Sequence, residues 1–377
     1  MIKARLFTPG PTDVPPEVLI EMARPMFHHR TGRFKEMFAQ VNDGLKKILM
    51  TGNDVLTIAG SGTAGMEAAI ACAVPRDKKV LVSDGGKFGE RWVKVARKYG
   101  LDVDELKLEW GTGLQADTVE QKLAGGEYGA VVTVYSETST GTACDLEAIG
   151  RVVAKTDAIL IADCITAAGT LPLRTDAWNV DIVGAGSQKA FMLPPGLAIV
   201  SVSEKAWRCI EGVEAPLFYL DLKAYGKKVV DNDTPYTAPV SLIRGLQVAV
   251  DMINEIGIEK VWARTAMLAK ATRAAAEEMG MKLFSRQPSD SVSALLYPDG
   301  VDDGFRKALQ ARYGCSIAGG QEALKGKCCR ISHMGYVDPL DTLGLIAAME
   351  YTLAEQGAKV EIGSGVARAA KVLKDWQ

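Results

Sequence analysis

The sequence predicts an α/β protein built on a mainly parallel sheet. Three observations carry that prediction. Between residues 54 and 202, short runs rich in Val, Ile and Leu recur, separated by stretches with helical spacing of apolar residues. Those runs are continuously apolar, as in strands covered on both faces, and do not alternate apolar with polar. The first run also leads into a glycine-rich turn that opens a helix, the connection a β-α unit uses.

In chain order, Val55–Ala59 is the first predicted strand and Ala64–Val74 the helix after its turn. Val80–Ser83 follows, ending in Asp84-Gly85-Gly86, and Phe88–Tyr99 is a helix stopped by Gly100. Val131–Tyr135 is a strand, and Asp145 caps a helix running to about Lys155. Ile159–Ala162 is a strand ending in Asp163; Asp181–Ala185 and Ala198–Val202 are two more. Beyond about residue 204 the chain turns helical. Val240–Ile256 and Glu259–Met279 show helical spacing, with Gly257 marking a bend or restart. Strands near Val292–Leu296 and Cys328–Ser332, with helices Asp303–Tyr313 and Pro339–Gln356, predict a smaller α+β unit. The expected domains are a large one over 14–256 and a small one over 257–377.

Composition narrows the function classes. The 44 basic and 46 acidic residues leave a net charge of −2, so neither nucleic acid nor a membrane surface is an expected partner. No apolar run approaches the roughly 18 residues that span a bilayer. The start, Met1-Ile2-Lys3-Ala4-Arg5, has no apolar leader core, so the expected compartment is the cytoplasm. Seven cysteines without a C-x-x-C pair, and only three histidines, argue for reduced, buried thiols and against a metal site.

Three pieces of chemistry then stand out. Gly60-Ser61-Gly62-Thr63-Ala64-Gly65 opens a helix after a strand, where free amides and the helix dipole favour a phosphate. It also fits the dinucleotide pattern G-x-G-x-x-G, with Asp84 as the acidic residue 19 positions beyond Gly65. Asp163 ends a strand, at the sheet edge where α/β proteins bind ligands; taken alone it is a helix cap or a functional anion. Lys189, in Ser187-Gln188-Lys189, follows the strand 181–185 in the same layer; taken alone it is a solvated lysine. Together they match the needs of pyridoxal 5'-phosphate. Its aldehyde needs a lysine amine, its ring nitrogen an acid partner, and its phosphate backbone amides. Phe88 is the candidate aromatic cover for the ring.

In order along the chain stand Thr8-Pro9-Gly10-Pro11-Thr12, Gly60-Ser61-Gly62-Thr63, Glu137-Thr138-Ser139-Thr140-Gly141, Asp163, Gly186-Ser187-Gln188-Lys189, Thr234-Pro235-Tyr236-Thr237 and Arg330-Ile331-Ser332-His333-Met334-Gly335. In that order they resemble the class V, fold-type I pyridoxal-phosphate aminotransferases, closest to the alanine/serine–glyoxylate and serine–pyruvate branch. The resemblance covers essentially the whole chain. It implies a large mainly parallel-sheet domain, a smaller α+β C-terminal domain, and segment 1–13 packed near the active site. It implies Lys189 as the covalent anchor, Asp163 on the ring nitrogen, and Phe88 stacked on the ring. Gly62, Thr63 and Gln188 would hold the phosphate, and Thr138 or Ser139 would reach the phenolic oxygen. Thr237 would enter the neighbour's site across a homodimer, and Arg330 would grip the substrate carboxylate. The implied reaction moves an amino group between alanine, serine or aspartate and a 2-oxo acid such as glyoxylate or pyruvate.

Some residues depart from the usual pattern. Ser332 stands for a glycine, Cys164-Ile165-Thr166 for the commoner D-x-V-S continuation, and His28-His29-Arg30 for G-H-R. These touch substrate preference, where Arg30 is either a second cation for a side-chain carboxylate or a loop residue. Three competing readings stay open: an NAD-dependent enzyme using Gly60–Gly65 and Asp84, a lyase or desulfurase on the same scaffold, and a non-catalytic subunit of a larger complex, against which the intact Lys189 argues. The desulfurase needs a mobile cysteine, for which Cys315 is the loop candidate.

Overall fold

The computed structural model describes residues 2–376. Seven strands form its main sheet, in the order Asp54–Ala59, Leu197–Val202, Ile182–Gly186, Ile159–Asp163, Tyr128–Val134, Lys79–Asp84, Val103–Lys107. Leu197–Val202 runs antiparallel to both of its neighbours, and every other pairing is parallel. The three strands Ile159–Asp163, Ile182–Gly186 and Leu197–Val202 are buried throughout. Their alternate residues feed two apolar cores, one on each face. Leu160, Val183 and Ile199 meet Val41, Leu45, Leu246 and Val250, while Ile161, Ile182 and Val200 meet Met66, Ile70 and Trp92.

This order removes the dinucleotide reading of Asp84. In that fingerprint the acidic residue lies at the end of the strand next to the glycine turn. Here four strands separate Asp54–Ala59 from Lys79–Asp84, about 24 Å at the usual strand spacing.

A second sheet, in the order Lys282–Leu283, Val292–Leu296, Cys328–Ser332, Ala318–Gly319, is antiparallel throughout. Its apolar core comes from helices Ile258–Glu278, Gly304–Tyr313, Pro339–Glu355 and Ser364–Leu373. Gly257, at φ +89°, ends Val240–Ile256 and starts Ile258–Glu278, so the helix restarts there. Only glycine takes that backbone at little cost.

The N-terminal segment straps the two sheets together. Arg5–Leu6 pairs in parallel with Cys315–Ser316, the Ser332 amide donates to the Phe7 carbonyl, and Phe7 is buried in the second core. Cys315 is therefore in a strand and buried, and burial pushes its thiol upward. That corrects its reading as a mobile loop nucleophile. A buried hydroxyl triangle, Ser136–Ser289–Ser291 at 2.7–2.9 Å, also joins the sheets beside the Glu137–Gly141 loop.

Candidate active site

The site forms at the C-terminal edge of the main sheet. Asp163 ends its strand opposite Gly184, and Lys189 lies in the turn that follows the neighbouring strand Ile182–Gly186. The turn is fixed by Ser187, whose hydroxyl donates to the Pro194 carbonyl at 2.9 Å and accepts from the Leu197 amide at 3.1 Å. Asp163 is buried. Its Oδ1 accepts from the Ile165 amide at 2.9 Å and its Oδ2 from Trp92 Nε1 at 2.8 Å. Burial pushes its carboxyl up to about 6, against those two hydrogen bonds. Burial also lowers the Lys189 amine to about 8, with Asp163 drawing it back up. An amine near 8 is neutral and nucleophilic in roughly a tenth of molecules at pH 7, far more than an ordinary lysine.

The N-terminal strap closes over this lysine. Lys189 Nζ donates to the Pro9 carbonyl, and Thr12 bonds the carbonyls of Gln188 at 3.2 Å and Lys189 at 2.8 Å. A Cβ at Gly10 would overlap the Lys189 side chain, so only glycine allows the strap this close.

The phosphate candidates lie at the same edge. Gly62 and Thr63 begin the helix Gly62–Ala73, whose N-cap Ser61 makes no side-chain capping bond. The first amides of that helix are therefore left without a side-chain partner from their cap. Gln188 has a buried side-chain oxygen with no hydrogen-bond partner among the described residues, and a Cβ at Gly186 would lie 3.1 Å from that oxygen and 3.5 Å from the Gly62 amide nitrogen. Buried amide groups are normally satisfied, so this one marks a polar ligand position.

Phe88 is the second residue of the helix Lys87–Lys98, whose N-cap is Gly86 and offers no side chain. Glu137 caps it from elsewhere in the chain. Its Oε2 accepts from the amides of Phe88 and Gly89 at 3.0 and 3.1 Å. Its Oε1 accepts from the Ser139 amide at 3.1 Å and hydroxyl at 2.5 Å. Burial nevertheless pushes the Glu137 carboxyl upward. Sequence reading missed Glu137 and Trp92 as site-building residues, because their partners lie 48 to 71 positions away. Glu137→Ala leaves three backbone amides without that acceptor, and we expect it to destabilise the protein by roughly 3 kcal/mol in urea denaturation. A change within the scatter of surface substitutions would show that the cap is dispensable.

The same loop seats Arg330. Its Nε donates to the Gly319 carbonyl at 2.8 Å and its Nη1 to the Thr138 carbonyl at 3.0 Å. Arg330 is buried, burial lowers its pKa, and among the described residues it has no ion-pair partner. Of the two hydroxyls weighed for the phenolic oxygen, Ser139 is committed to Glu137, and Thr138 has no such bond. Thr237 is exposed, apart from the Lys189 cluster's own bonds. Its segment is held by Arg30, whose Nη1 donates to Asp233 Oδ1 at 2.5 Å and to the Thr234 carbonyl at 2.6 Å. Within its own chain Arg30 is thus a paired clamp on residues 233–235.

The comparisons with known proteins converge on one family. The family model described as "Aminotransferase class-V" matches residues 5–341. A relative from Synechococcus sp., named as the small subunit of a soluble hydrogenase, is 40% identical over 98% of each chain. The L-aspartate–glyoxylate aminotransferase of Paracoccus denitrificans is 37% identical over 97% of this chain and 94% of its own. The crystal structure of ureidoglycine–glyoxylate aminotransferase from Bacillus subtilis superposes with a TM-score of 0.94 at 28% identity, covering 100% of this chain and 99% of that one.

Proposed function

From the membership of this chain in the class-V aminotransferases, we propose that it is a pyridoxal-phosphate enzyme passing the amino group of a small amino acid to a 2-oxo acid, with glyoxylate as acceptor. Alanine, serine and aspartate are the donors to test. The observation that carries the reading is Arg330, a buried guanidinium that bonds two carbonyls and, among the described residues, has no ion-pair partner. A buried cation of that kind fits an anionic substrate. Glyoxylate is supported by the names of two relatives, one of them a structural match over the whole chain.

The residues present fit the cofactor: an amine near pH 8, a buried carboxylate, an uncapped helix start and an unpaired buried amide. When bound, pyridoxal phosphate supplies an aldehyde for the amine and a ring that spreads negative charge. Lys189 Nζ would take the proton from the substrate Cα and hold it for return. Asp163, aimed by Trp92, would keep the ring nitrogen protonated. Gly62, Thr63 and Gln188 would hold the phosphate, Phe88 would cover the ring, and Thr138 would serve the phenolic oxygen. Arg330 orients the α-carboxylate with its free edge.

The same proposal takes 14–256 as the cofactor-holding domain, 257–377 as the small domain, and the functional unit as a homodimer. Exposed Thr237 and the exposed aromatics Phe218 and Tyr219 beside it in the Tyr236 cluster support that last point. Seven unpaired cysteines support a reducing, cytoplasmic setting. A panel of donors against glyoxylate, pyruvate and 2-oxoglutarate tests the function; no transfer from any donor, in protein showing the cofactor's visible band, would refute it.

Loss of Arg330, as in Arg330→Ala, should lower kcat/KM for the amino donor about a hundredfold, and Arg330→Lys should recover only part of it, because an ammonium cannot present the planar fork to a carboxylate. Cofactor absorbance should survive, since no ring or phosphate contact is assigned to this residue. An unchanged kcat/KM removes Arg330 from the site.

A further inference from the structure

The helix Lys87–Lys98 brings one more cation to the phosphate edge. Arg91 Nη1 donates to Thr63 Oγ1 at 3.1 Å, and its guanidinium carbon lies 4.7 Å from the centre of the Phe88 ring. Arg91 and Phe88 are three positions apart on one helix, so they share a face. Among the described residues Arg91 has no carboxylate partner.

The direction of the Thr63 bond matters. A guanidinium has donors only, so the Thr63 oxygen must accept from it. The hydroxyl proton of Thr63 is then free to be donated elsewhere, and the neighbouring start of Gly62–Ala73 offers further donors. A helix N-terminus brings only about half a positive charge, whereas a phosphate monoester carries about 1.5 to 2 negative charges at neutral pH. The cradle made of Gly62, Thr63 and Gln188 contains no cationic side chain. Arg91 bonds it through Thr63.

We propose that Arg91 is a binding residue for the cofactor phosphate, turning the Thr63 hydroxyl outward as a donor and supplying the charge that the helix start lacks. This rests on the pyridoxal-phosphate reading above. Its guanidinium also lies over the Phe88 ring, so one residue couples the phosphate cradle to the ring cover.

The test uses the full-length cofactor-free protein and two ligands that differ by the phosphate. Arg91→Met keeps an apolar stem and loses the charge. Its dissociation constant for pyridoxal phosphate, read by absorbance titration, should rise about tenfold to a hundredfold. That for pyridoxal should stay within twofold. Raising the salt should weaken pyridoxal-phosphate binding to the wild type more than to the variant. In Arg91→Met/Thr63→Val the loss should be less than additive with that of Thr63→Val, since the two side chains act as one unit. Equal losses for both ligands, strict additivity, or unchanged pyridoxal-phosphate affinity would each overturn the inference. If the wild type binds pyridoxal phosphate no better than pyridoxal, the cofactor reading itself fails. A variant that binds like the wild type, beside a wild type that does discriminate, sinks this inference alone.

Discussion

Lys189→Ala should abolish repeated turnover, with kcat falling by roughly four orders of magnitude, the upper end of what a lost general acid–base group costs. The covalent anchor is lost as well, so the effect should exceed that of any other single change at the site. The protein should still fold. The turn bearing Lys189 is held by Ser187 and Thr12 through bonds that do not involve the amine. Near-normal turnover in the pure variant would end the assignment. The same amine makes a stability prediction. Its folded value is about 8 and its ordinary value 10.5. Between these the unfolded chain binds more protons, so the cofactor-free protein should gain stability as pH rises through that window. Lys189→Met should lack that gain, which melting temperatures at about pH 7.5 and 10 would show.

Asp163→Asn should slow the loss of the substrate Cα proton by roughly 10²- to 10³-fold, as removal of a preorganised charge at a reacting centre does. A neutral amide cannot hold the ring nitrogen in its protonated form. Some stability is lost too. The amide nitrogen cannot accept, so either the Ile165 amide or Trp92 Nε1 loses its partner, at about 1 to 3 kcal/mol. Trp92→Phe separates the two roles, since it removes the indole donor and leaves the carboxylate. Its single-turnover rate should drop far less than that of Asp163→Asn. If the two variants slow equally, or neither does, Asp163 serves only to anchor the helix Lys87–Lys98.

Much of this site was legible in the sequence because strand ends are legible. Asp163 and Lys189 follow continuous apolar runs, and those runs are the buried central strands. Val292–Leu296, Cys328–Ser332 and Val240–Ile256 also match their predicted bounds. The edge strand Val103–Lys107 gave no such signal. Covered on one side only, it reads Val-Asp-Glu-Leu-Lys, and none of its residues is buried. The helix Gly32–Leu49 carries its signal in the spacing of Phe34, Met37, Phe38, Val41 and Leu45. What no local pattern can hold is a partnership across the chain. Trp92 with Asp163, Glu137 with Phe88, and Arg30 with Asp233 are ordinary residues until the sheet brings them together. The choice between a dinucleotide and a monophosphate was of the same kind, since strand order decided it.

The strap over Lys189 has a consequence for the order in which a ribosome can build the protein. Arg5 and Phe7 bond to Gly314, Ser316 and Ser332, which are made more than 300 residues after them. At about 5 to 20 residues per second, that is a wait of roughly 15 to 60 seconds. During it the nascent chain already holds Gly62, Asp163 and Lys189. The sheet edge can therefore assemble while its lysine still lacks the Pro9 carbonyl and the cover of Gly10. Residues 5–7 therefore dock on the second sheet only after Gly314, Ser316 and Ser332 have been made, long after Lys189 itself.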